Sequence, residues 1–459
     1  MMQILALLLS LSILVFLHEL GHFFFARLFK TRVEKFYLFF NPYFSILRAK
    51  KVSGKWKFSF FSGKTPESWS ESPDNTEWGL GWIPLGGYCA IAGMIDETKK
   101  ADDLPSEPQP WEYRSKKSWQ RLLIISGGVI TNFVLAVCIY IGMLFVWGQE
   151  TLPLRNATLG YEYHEVLRGV GFQNGDIPVK ANGKELNLLS DFIEDILYET
   201  ASIVTVDRNG QEKDISIPKG IGQELLASNA KKLTDIRIPF IIDKIEDNTP
   251  AKEAGLLSGD RIIGFNDIST PSFFDFARAI EPFKSQQIEL HFIREGNPLT
   301  VQIQTTESAT LGVFPVQSIS KLFVTEKKTY GFFESIPAGV SLGVSTLGDY
   351  VKQFKLVFTK EGAKQIGGFI TIGGIFPKTW DWSRFWNMTA FLSIILAFMN
   401  ILPIPGLDGG HVMFTLYEMV TRRKPSEKFL ERAQMAGMII LLALLVFANG
   451  NDIIRLFTK

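Results

Sequence analysis

Cysteine is almost absent from this 459-residue chain, which contains only Cys89 and Cys138. Cys138 lies in an apolar run and Cys89 in the more polar region before it, so a disulfide framework is not expected. An excess of one charge is also missing. The 48 Lys and Arg residues are balanced by 47 Asp and Glu residues, which argues against a nucleic-acid binder held by phosphates. No nucleic-acid partner is therefore expected.

Apolar residues, in contrast, are plentiful and concentrated in blocks. Mean hydropathy is +0.12 although 21% of the residues are charged, which predicts a membrane protein with soluble inserts. Four blocks are candidates to cross a bilayer, at residues 4–29, 119–147, 385–420 and 435–448. A signal peptide is the alternative for the first block, but no basic residue precedes it and the run is longer than an h-region.

The third block is broken in its middle by proline and glycine. Irregular backbone at membrane depth is tolerated only where it is buried in protein or lines a cavity. Basic residues follow the first block, precede the second and lie between the third and the fourth. They are Arg27, Lys30, Arg32, Lys35, Arg114, Lys116, Lys117, Arg121, Arg422, Arg423, Lys424, Lys428 and Arg432. By the positive-inside rule these ends are cytoplasmic, and both termini and residues 148–383 lie on the opposite side.

The first block carries an HExxH motif, His18-Glu19-Leu20-Gly21-His22. Positions four apart share a helix face, so both imidazoles can bind one Zn²⁺ while Glu19 reaches its water as general base. The alternative is a helix whose polar residues only form hydrogen bonds with neighbouring helices. Three ionisable residues inside a span are costly and normally functional, which favours the metal site.

A catalytic zinc normally takes three protein ligands and keeps one position for water. His164 and His291 fall in the soluble insert, which leaves His411 and the carboxylates of the other spans. Asp408 is the strongest candidate, because it is acidic, lies at membrane depth and follows backbone broken by Pro and Gly. The alternative is a helix cap at the membrane edge, since Asp followed by Gly is ordinary turn chemistry.

Taken together, these motifs resemble the site-2 protease family, and in particular its bacterial sigma-E protease branch. The resemblance rests on HExxH in the first span and on the sequence from Asn400 to Gly409 in the third. Further matching segments are Pro84 to Tyr88, Gly128 to Phe133 and Asn451 to Ile453. The chain departs from the family's usual pattern at Gly127-Gly128 and at Gly367-Gly368-Phe369-Ile370.

The resemblance implies a role for each matching residue. His18, His22 and Asp408 match zinc ligands, with one zinc per chain, and Glu19 matches the catalytic glutamate. The implied substrate-binding residues are Asn400, Asn132 and Pro403. The segment from Phe58 to Met94 matches a membrane-associated β-rich region that pairs with the substrate as an added strand.

The soluble insert alternates short apolar runs with turns, which is a β-rich pattern. Residues 254–266 resemble the signature of a PDZ domain, and residues 171–183 resemble an earlier copy. Tandem PDZ domains are therefore expected, acting either as sites for an extended peptide or as a filter that excludes bulky ectodomains. Residues 330–376 are amphipathic and glycine-rich. They are expected to form either a surface helix on the membrane or a helix that packs on the PDZ domains.

The expected fold is a membrane α-helical bundle of four transmembrane helices with a membrane-associated β-rich region and two inserted PDZ domains. The expected divisions are 1–30, 31–118, 119–148, 149–228, 229–310, 311–384, 385–421, 422–434 and 435–459. They comprise the first span, the β-rich region, the second span, the two PDZ domains, a linker with the amphipathic segment, the third span, a cytoplasmic loop and the fourth span with a tail.

The expected function is intramembrane proteolysis by a zinc endopeptidase in a bacterial inner membrane, with the PDZ domains in the periplasm. The resemblance implies contact with membrane lipid and a transmembrane protein substrate, an anti-sigma factor or a remnant signal peptide. Alternatives are a non-enzymatic scaffold, an ion-coupled transporter that uses the ionisable residues for ion passage, and an inactive relative that only binds substrate.

Overall fold

The structure is a computed structural model that describes residues 2–94, 107–228, 232–359, 362–363 and 366–457. It divides into two compact units: Met1–Gly148 with Thr329–Lys459, and Gln149–Lys328. Some predicted divisions fall partly outside the described residues. These are the start of the second inserted domain at residue 229, residues 95–106 of the β-rich region, and the last two residues of the tail.

The first unit opens with a long helix, a five-stranded sheet and a second long helix. The helices are α1 (Met2–Leu28) and α2 (Ser118–Val146). The strands are β1 (Val33–Phe40), β2 (Ser45–Val52), β3 (Lys55–Ser62), β4 (Glu77–Leu80) and β5 (Ile83–Ile91). Their order in the sheet is β3-β2-β4-β1-β5, so β3 and β5 are the two edges among the described strands. A β-rich region between the first two spans is thus confirmed.

The second unit contains mostly strands. They are β6 (Gln149–Thr151), β7 (Tyr161–Tyr163), β8 (Ile177–Ala181), β9 (Lys184–Glu185), β10 (Ile203–Arg208), β11 (Gln211–Ser216), β12 (Thr234–Ile236), β13 (Phe240–Ile245), β14 (Arg261–Phe265), β15 (Ile268–Ser269), β16 (Gln287–Arg294), β17 (Asn297–Gln304), β18 (Val313–Pro315) and β19 (Glu326–Lys328). The helices are α3 (Glu165–Val170), α4 (Leu189–Leu197), α5 (Ile221–Ala227), α6 (Pro250–Glu253), α7 (Phe273–Ile280) and α8 (Ile319–Leu322).

The remainder of the first unit is helical. It comprises α9 (Phe332–Leu356), α10 (Phe369–Gly374), α11 (Trp382–Ile401), α12 (Asp408–Thr421) and α13 (Glu427–Phe457). In the described part of the chain, four helices are long and apolar enough to cross a membrane: α1, α2, α11 and α13. The predicted four apolar spans are therefore confirmed. The third predicted segment is two helices, because Pro403 and Pro405 lack the backbone donors that would continue α11.

The first two spans touch backbone to backbone. A Cβ atom added to Gly127 would lie 2.6 Å from the carbonyl oxygen of Gly21, and one added to Gly21 would overlap the carbonyl of Gly127. Small residues at this crossing let the two helices approach closely, as is typical of helix pairs in membranes. The contact brings the HExxH face of α1 against the middle of α2.

The predicted amphipathic segment packs inside the first unit. Gly339 and Gly343 of α9 face Ile141 and Val137 of α2, and Tyr350 packs its ring edge on Phe398 of α11. The segment thus packs on two candidate spans, a contact that the sequence did not predict. The physical reason is the pair of glycines, which opens a groove on α9 wide enough for α2.

A short cap joins the fourth span to the segment before the third. The carboxylate of Asp452 on α13 accepts the backbone N–H groups of Gly368, Ile370 and Thr371, each at 3.0 Å. These donors belong to the first turn of α10, where backbone N–H groups have no partner within the helix. The Asn451 to Ile453 motif and the Gly367 to Ile370 segment are therefore structural partners.

The second unit is built from two repeats with the same internal ion pair. Arg208 makes two hydrogen bonds of 2.7 Å to the Asp176 carboxylate, and Arg294 makes the same pair to Asp260. Each aspartate follows a glycine in the motif from which two copies were predicted. Each repeat also has its own buried core.

The second repeat continues past residue 310, where the predicted domain ends. Strand β18 pairs antiparallel with β13, with Val313 opposite Ile245, and Leu311 is buried in the core of this repeat. The prediction ended too early because β18 is only three residues long, which leaves little strand pattern to detect.

Candidate metal centre

The two histidines of the HExxH motif lie one turn apart on α1 and face the same way. Their Nε2 atoms are 3.3 Å apart. Both side chains are largely buried, with 13% of the His18 side chain and 10% of the His22 side chain exposed. This is the arrangement that the four-residue spacing predicts for a helix.

Asp408 reaches the same point from the other end of the chain. It is the first residue of α12, directly after the turn at residues 402–407, in which Gly406 adopts a φ of +94°. Its Oδ2 atom lies 3.2 Å from Nε2 of His18 and 3.4 Å from Nε2 of His22. The three candidate ligand atoms all fall within 4.8 Å of one another. Asp408 therefore lies at the start of a helix, as the helix-cap alternative predicts, and also approaches the two histidines, as the metal-ligand prediction requires.

Hydrogen bonds on the far side of each ring indicate which ring nitrogen carries the proton and which presents a lone pair to Asp408. Nδ1 of His22 is 2.9 Å from the carbonyl oxygen of Ile124. A carbonyl can only accept, so Nδ1 carries the proton and Nε2 presents a lone pair. This backbone contact is the kind that orients histidine ligands in metal sites.

His18 has a similar partner in Asn132 of α2. Its Nδ1 is 3.2 Å from the side-chain amide of Asn132. The amide oxygen of Asn132 is buried and has no hydrogen-bond partner among the described residues. The amide atom that lies 3.2 Å from Nδ1 is the nitrogen. A 180° rotation of the amide exchanges it with the unpartnered oxygen, which then accepts a hydrogen bond from an Nδ1–H group. Both histidines then present Nε2 to the centre.

This donor set fits a metal ion. The Oδ2 atom of Asp408 is buried and accepts no hydrogen bond from any described residue. The Nε2 atoms of His18 and His22 lie beside it, but without a proton they cannot donate one. A buried carboxylate without compensation is costly. Two imidazoles and one carboxylate leaving a fourth position open are the ligands of a catalytic zinc site.

Comparison with known proteins agrees with this chemistry. The model of peptidase family M50 matches residues 6–65 and 55–444. The chain belongs to peptidase family M50. Two relatives carry the name "Putative zinc metalloprotease": one from Ralstonia nicotianae, 24% identical over 100% of this chain and 99% of its own, and one from Borreliella burgdorferi, 25% identical over 98% of both chains. The "Regulator of sigma E protease" of Haemophilus influenzae is 26% identical over 97% of both.

The candidate metal centre opens into a cavity of about 350 Å³. Glu19, the predicted general base, lines this cavity together with His18, His22 and Asp408. One wall is the edge strand β5, through Gly87, Tyr88, Cys89 and Ile91. An edge strand can accept an extended peptide as an additional strand through its backbone. The cavity therefore combines the candidate metal ligands with a surface for extended backbone.

The predicted substrate-binding residues have different surroundings. Asn400 lines the cavity, and its amide nitrogen is 3.4 Å from Nε2 of His18. Asn132 contacts the back of the His18 ring, which suits orientation of a ligand. Pro403 is exposed in the turn before Asp408 and is not among the described residues that line the cavity. Its contact with substrate stays a prediction.

One wall of this cavity was not predicted from the sequence. Glu431, Gln434, Met435 and Met438 of α13 all line it, and the ring of His411 meets the amide of Gln434. Their spacing of three, four and seven residues is a helix-face signal that the fourth span carries. His164 and His291 lie in the second unit, where they make local hydrogen bonds to Val166 and Asn266.

Proposed function

We propose that this chain is an intramembrane zinc endopeptidase that hydrolyses a peptide bond in or near the transmembrane segment of a single-span membrane protein. The observation that carries the proposal is the meeting of Asp408 with His18 and His22 at 3.2 and 3.4 Å. His18 and His22 lie in the candidate span α1, and Asp408 begins α12 after the turn that follows the candidate span α11, which supports a site at membrane depth. Ionisable residues at that depth normally serve function.

His18, His22 and Asp408 would hold one zinc ion per chain. When bound, zinc supplies Lewis-acid polarisation of the scissile carbonyl and makes water a usable nucleophile near neutral pH. Side chains of the protein carry out the remaining steps. Glu19 takes a proton from the attacking water at its carboxylate and delivers it to the leaving amine. Asn400, whose amide lies beside the histidines, donates a hydrogen bond to substrate backbone.

The substrate must arrive as an extended strand. A transmembrane helix satisfies its own carbonyls, so a protease can reach them only after local unwinding, and the freed backbone groups then need partners. Strand β5 borders the cavity and is the proposed partner of the substrate by strand addition. Pairing with β5 therefore compensates the unwinding and aligns one carbonyl with the site.

The two repeats of the second unit are proposed to be PDZ domains that face the periplasm of a bacterial inner membrane. Their role is either capture of an extended peptide or exclusion of substrates whose ectodomain has not yet been removed. Under the positive-inside rule, the basic flanks of α1, α2 and α13 are cytoplasmic. The proposed substrates are anti-sigma factors and remnant signal peptides.

The test uses the purified full-length protein in lipid vesicles beside Glu19→Gln, with Glu185→Gln, an exposed position, as matched control. The zinc content of each protein is measured by mass spectrometry. Cleavage is measured on a model single-span substrate. We expect about one zinc per chain in all three proteins and cleavage that falls by about 10²–10⁴-fold in Glu19→Gln only. A wild type that takes up no zinc, even after loading, would favour a scaffold or an ion-coupled transporter instead.

A further inference from the structure

The fourth candidate span, α13, is largely exposed along its middle but is buried at one glycine. Met435, Met438 and Ile440 are 52%, 50% and 54% exposed, whereas Gly437, which lies among them, is buried. Alanine forms helices more readily than glycine, so a buried glycine inside a helix indicates that a neighbouring group comes too close for a side chain. Gly437 is therefore a point at which α13 meets another part of the chain.

The group that Gly437 meets is the turn before Asp408. A Cβ atom added to Gly437 would overlap the carbonyl of Pro405 and would lie 3.0 Å from its Cα atom. Pro405 also faces Gly410 of α12, where an added Cβ atom would lie 2.6 Å from the same Cα atom. Backbone atoms cannot rotate away as the end of a flexible side chain can. The turn thus packs against two glycines, one on each helix.

A second contact joins α13 to the chain on the other side of Asp408. The ring of His411 meets the side-chain amide of Gln434, and Gln434 lies three residues before Gly437, on the same face of α13. His411 follows Asp408 by three residues, and Pro405 precedes it by three. Contacts with α13 therefore bracket Asp408 at positions 405 and 411.

A third contact shows that these two belong to one continuous packing of helix on helix. Phe414 of α12 packs its ring edge on Phe429 of α13, at 5.8 Å between ring centroids. Falling residue numbers from 414 to 405 thus meet rising numbers from 429 to 437, which is the pattern of two antiparallel helices. A displacement of α13 along this stretch therefore acts on the segment that carries Asp408.

Asp408 depends on such a support more than the two histidines do. The rings of His18 and His22 are oriented from behind by Asn132 and by the carbonyl of Ile124. The Oδ2 atom of Asp408, in contrast, accepts no hydrogen bond from any described residue, so the packing of its backbone determines where this atom lies. Distances between a metal and its ligands vary by only about 0.2 Å from their preferred values. A small shift of the turn would therefore disturb the site.

We infer that Gly437 is a positioning residue of the metal centre, whose contact with Pro405 fixes the place of Asp408, and that Gln434 supports the same segment through His411. Helix α13 provides none of the three candidate ligands, yet it helps to build the site. The inference rests on the proposed function, because it concerns the ligand set of the proposed zinc ion.

The test compares Gly437→Ala with Gly450→Ala in the full-length protein. Both changes add the same methyl group to α13, and nothing lies within 4 Å of it at Gly450, so a general effect on helix stability is shared. Zinc affinity is measured by titration against a chelator. Cobalt(II), loaded in place of zinc, reports the geometry of its ligands through its visible spectrum. Circular dichroism and thermal unfolding check that each protein is folded.

We expect Gly437→Ala to bind zinc about 10–100-fold more weakly, the range for loss of a group that orients a ligand, and to have an altered cobalt spectrum. Gly450→Ala should match the wild type in both measurements. A purely structural role of Gly437 would change the unfolding temperature but neither the zinc affinity nor the cobalt spectrum of the folded protein. Wild-type affinity together with a wild-type spectrum in Gly437→Ala would therefore overturn the inference.

Gln434→Met is a second variant that tests the contact with His411. Methionine has nearly the length of glutamine but no amide, so the contact is lost while the side chain keeps its size. We expect zinc binding about tenfold weaker, at the lower end of the same range. Wild-type affinity in Gln434→Met would overturn the role of Gln434, and it would overturn the whole inference if Gly437→Ala does not fold.

The wild type separates failure of this inference from failure of the proposed function. A wild-type protein that binds no zinc after loading would overturn both. A wild type that binds zinc, beside a folded Gly437→Ala that binds it as tightly, would overturn the positioning role alone.

Discussion

The Oδ2 atom of Asp408 lies 3.2 Å from Nε2 of His18, and no described residue donates a hydrogen bond to it. This contact predicts that Asp408→Asn loses metal, because the neutral amide cannot compensate a cation between the two rings. The loss in zinc affinity should exceed the 10–100-fold that is typical of an outer-shell partner. Titration against a zinc chelator measures it.

The matched control is Asp349→Asn, which changes an exposed aspartate of α9 that pairs with Lys352 at 3.0 Å. It should bind zinc like the wild type. Unchanged affinity in Asp408→Asn, with both proteins folded, would remove Asp408 from the ligand set and point to His411 as the third ligand.

Gly128 on α2 leaves room for the two histidine rings. A Cβ atom at this position would lie 2.5 Å from Nε2 of His22 and 2.6 Å from Nδ1 of His18, closer than such atoms pack. We therefore expect Gly128→Ala to displace both rings and to lower zinc content and cleavage together. Gly142→Ala on the same helix, where nothing lies within 4 Å, is the control and should retain both. Full zinc occupancy in Gly128→Ala would show that the rings can move without loss of the site.

Asn132 tests how His18 is oriented. If its amide oxygen accepts from Nδ1–H, then Asn132→Ala should lower zinc affinity by about 10–100-fold. Asn132→Asp should retain most of it, because a carboxylate also accepts. Chelator titration of both variants makes the comparison. Equal losses in the two variants would mean that the amide acts only by filling space beside Ser393, whose hydroxyl donates to the Asn132 backbone carbonyl at 2.7 Å.

Local pattern was enough to predict the spans and the pair His18 and His22. A four-residue spacing and a long apolar run are properties of one helix and need no knowledge of its neighbours. Asp408 could be predicted as a ligand because its charge is costly at membrane depth. Its approach to His18, however, is a tertiary contact, and sequence alone left the helix-cap reading open.

The remaining features depend on which helices pack together. The role of Asn132 behind His18 requires the close crossing of α1 and α2 at Gly21 and Gly127. The α13 wall of the cavity and the packing of α9 on α2 likewise follow from helix pairing, since apolar faces on α9 and α13 could have met lipid instead. No short-range pattern distinguishes those partners.

Arg237 joins the two repeats of the second unit. Its guanidinium pairs with Glu162 of the first repeat and with Asp275 of the second, and only 9% of its side chain is exposed. Arg237→Gln should lower the free energy of unfolding of a 149–328 fragment by roughly 1.5–3 kcal/mol, the range for hydrogen bonds to charged groups. Urea unfolding at pH 7 measures it. Arg155→Gln, which breaks a pair with 61% and 74% exposed side chains, should cost less than about 1 kcal/mol.

The effect of Arg237→Gln should also depend on pH. Burial alone would raise the pKa of Asp275, but hydrogen bonds from Ser272 and the charge of Arg237 hold the pKa of this carboxyl below its usual value. A lowered pKa in the folded state contributes stability above the unfolded value of about 3.9, and this contribution disappears as pH falls through the folded value. The difference between the wild type and Arg237→Gln should therefore be largest near pH 7 and should shrink below about pH 4, as pH falls through the folded pKa of Asp275. A difference in unfolding free energy that stays constant between pH 7 and pH 3 would show that Arg237 acts through packing rather than through its charge.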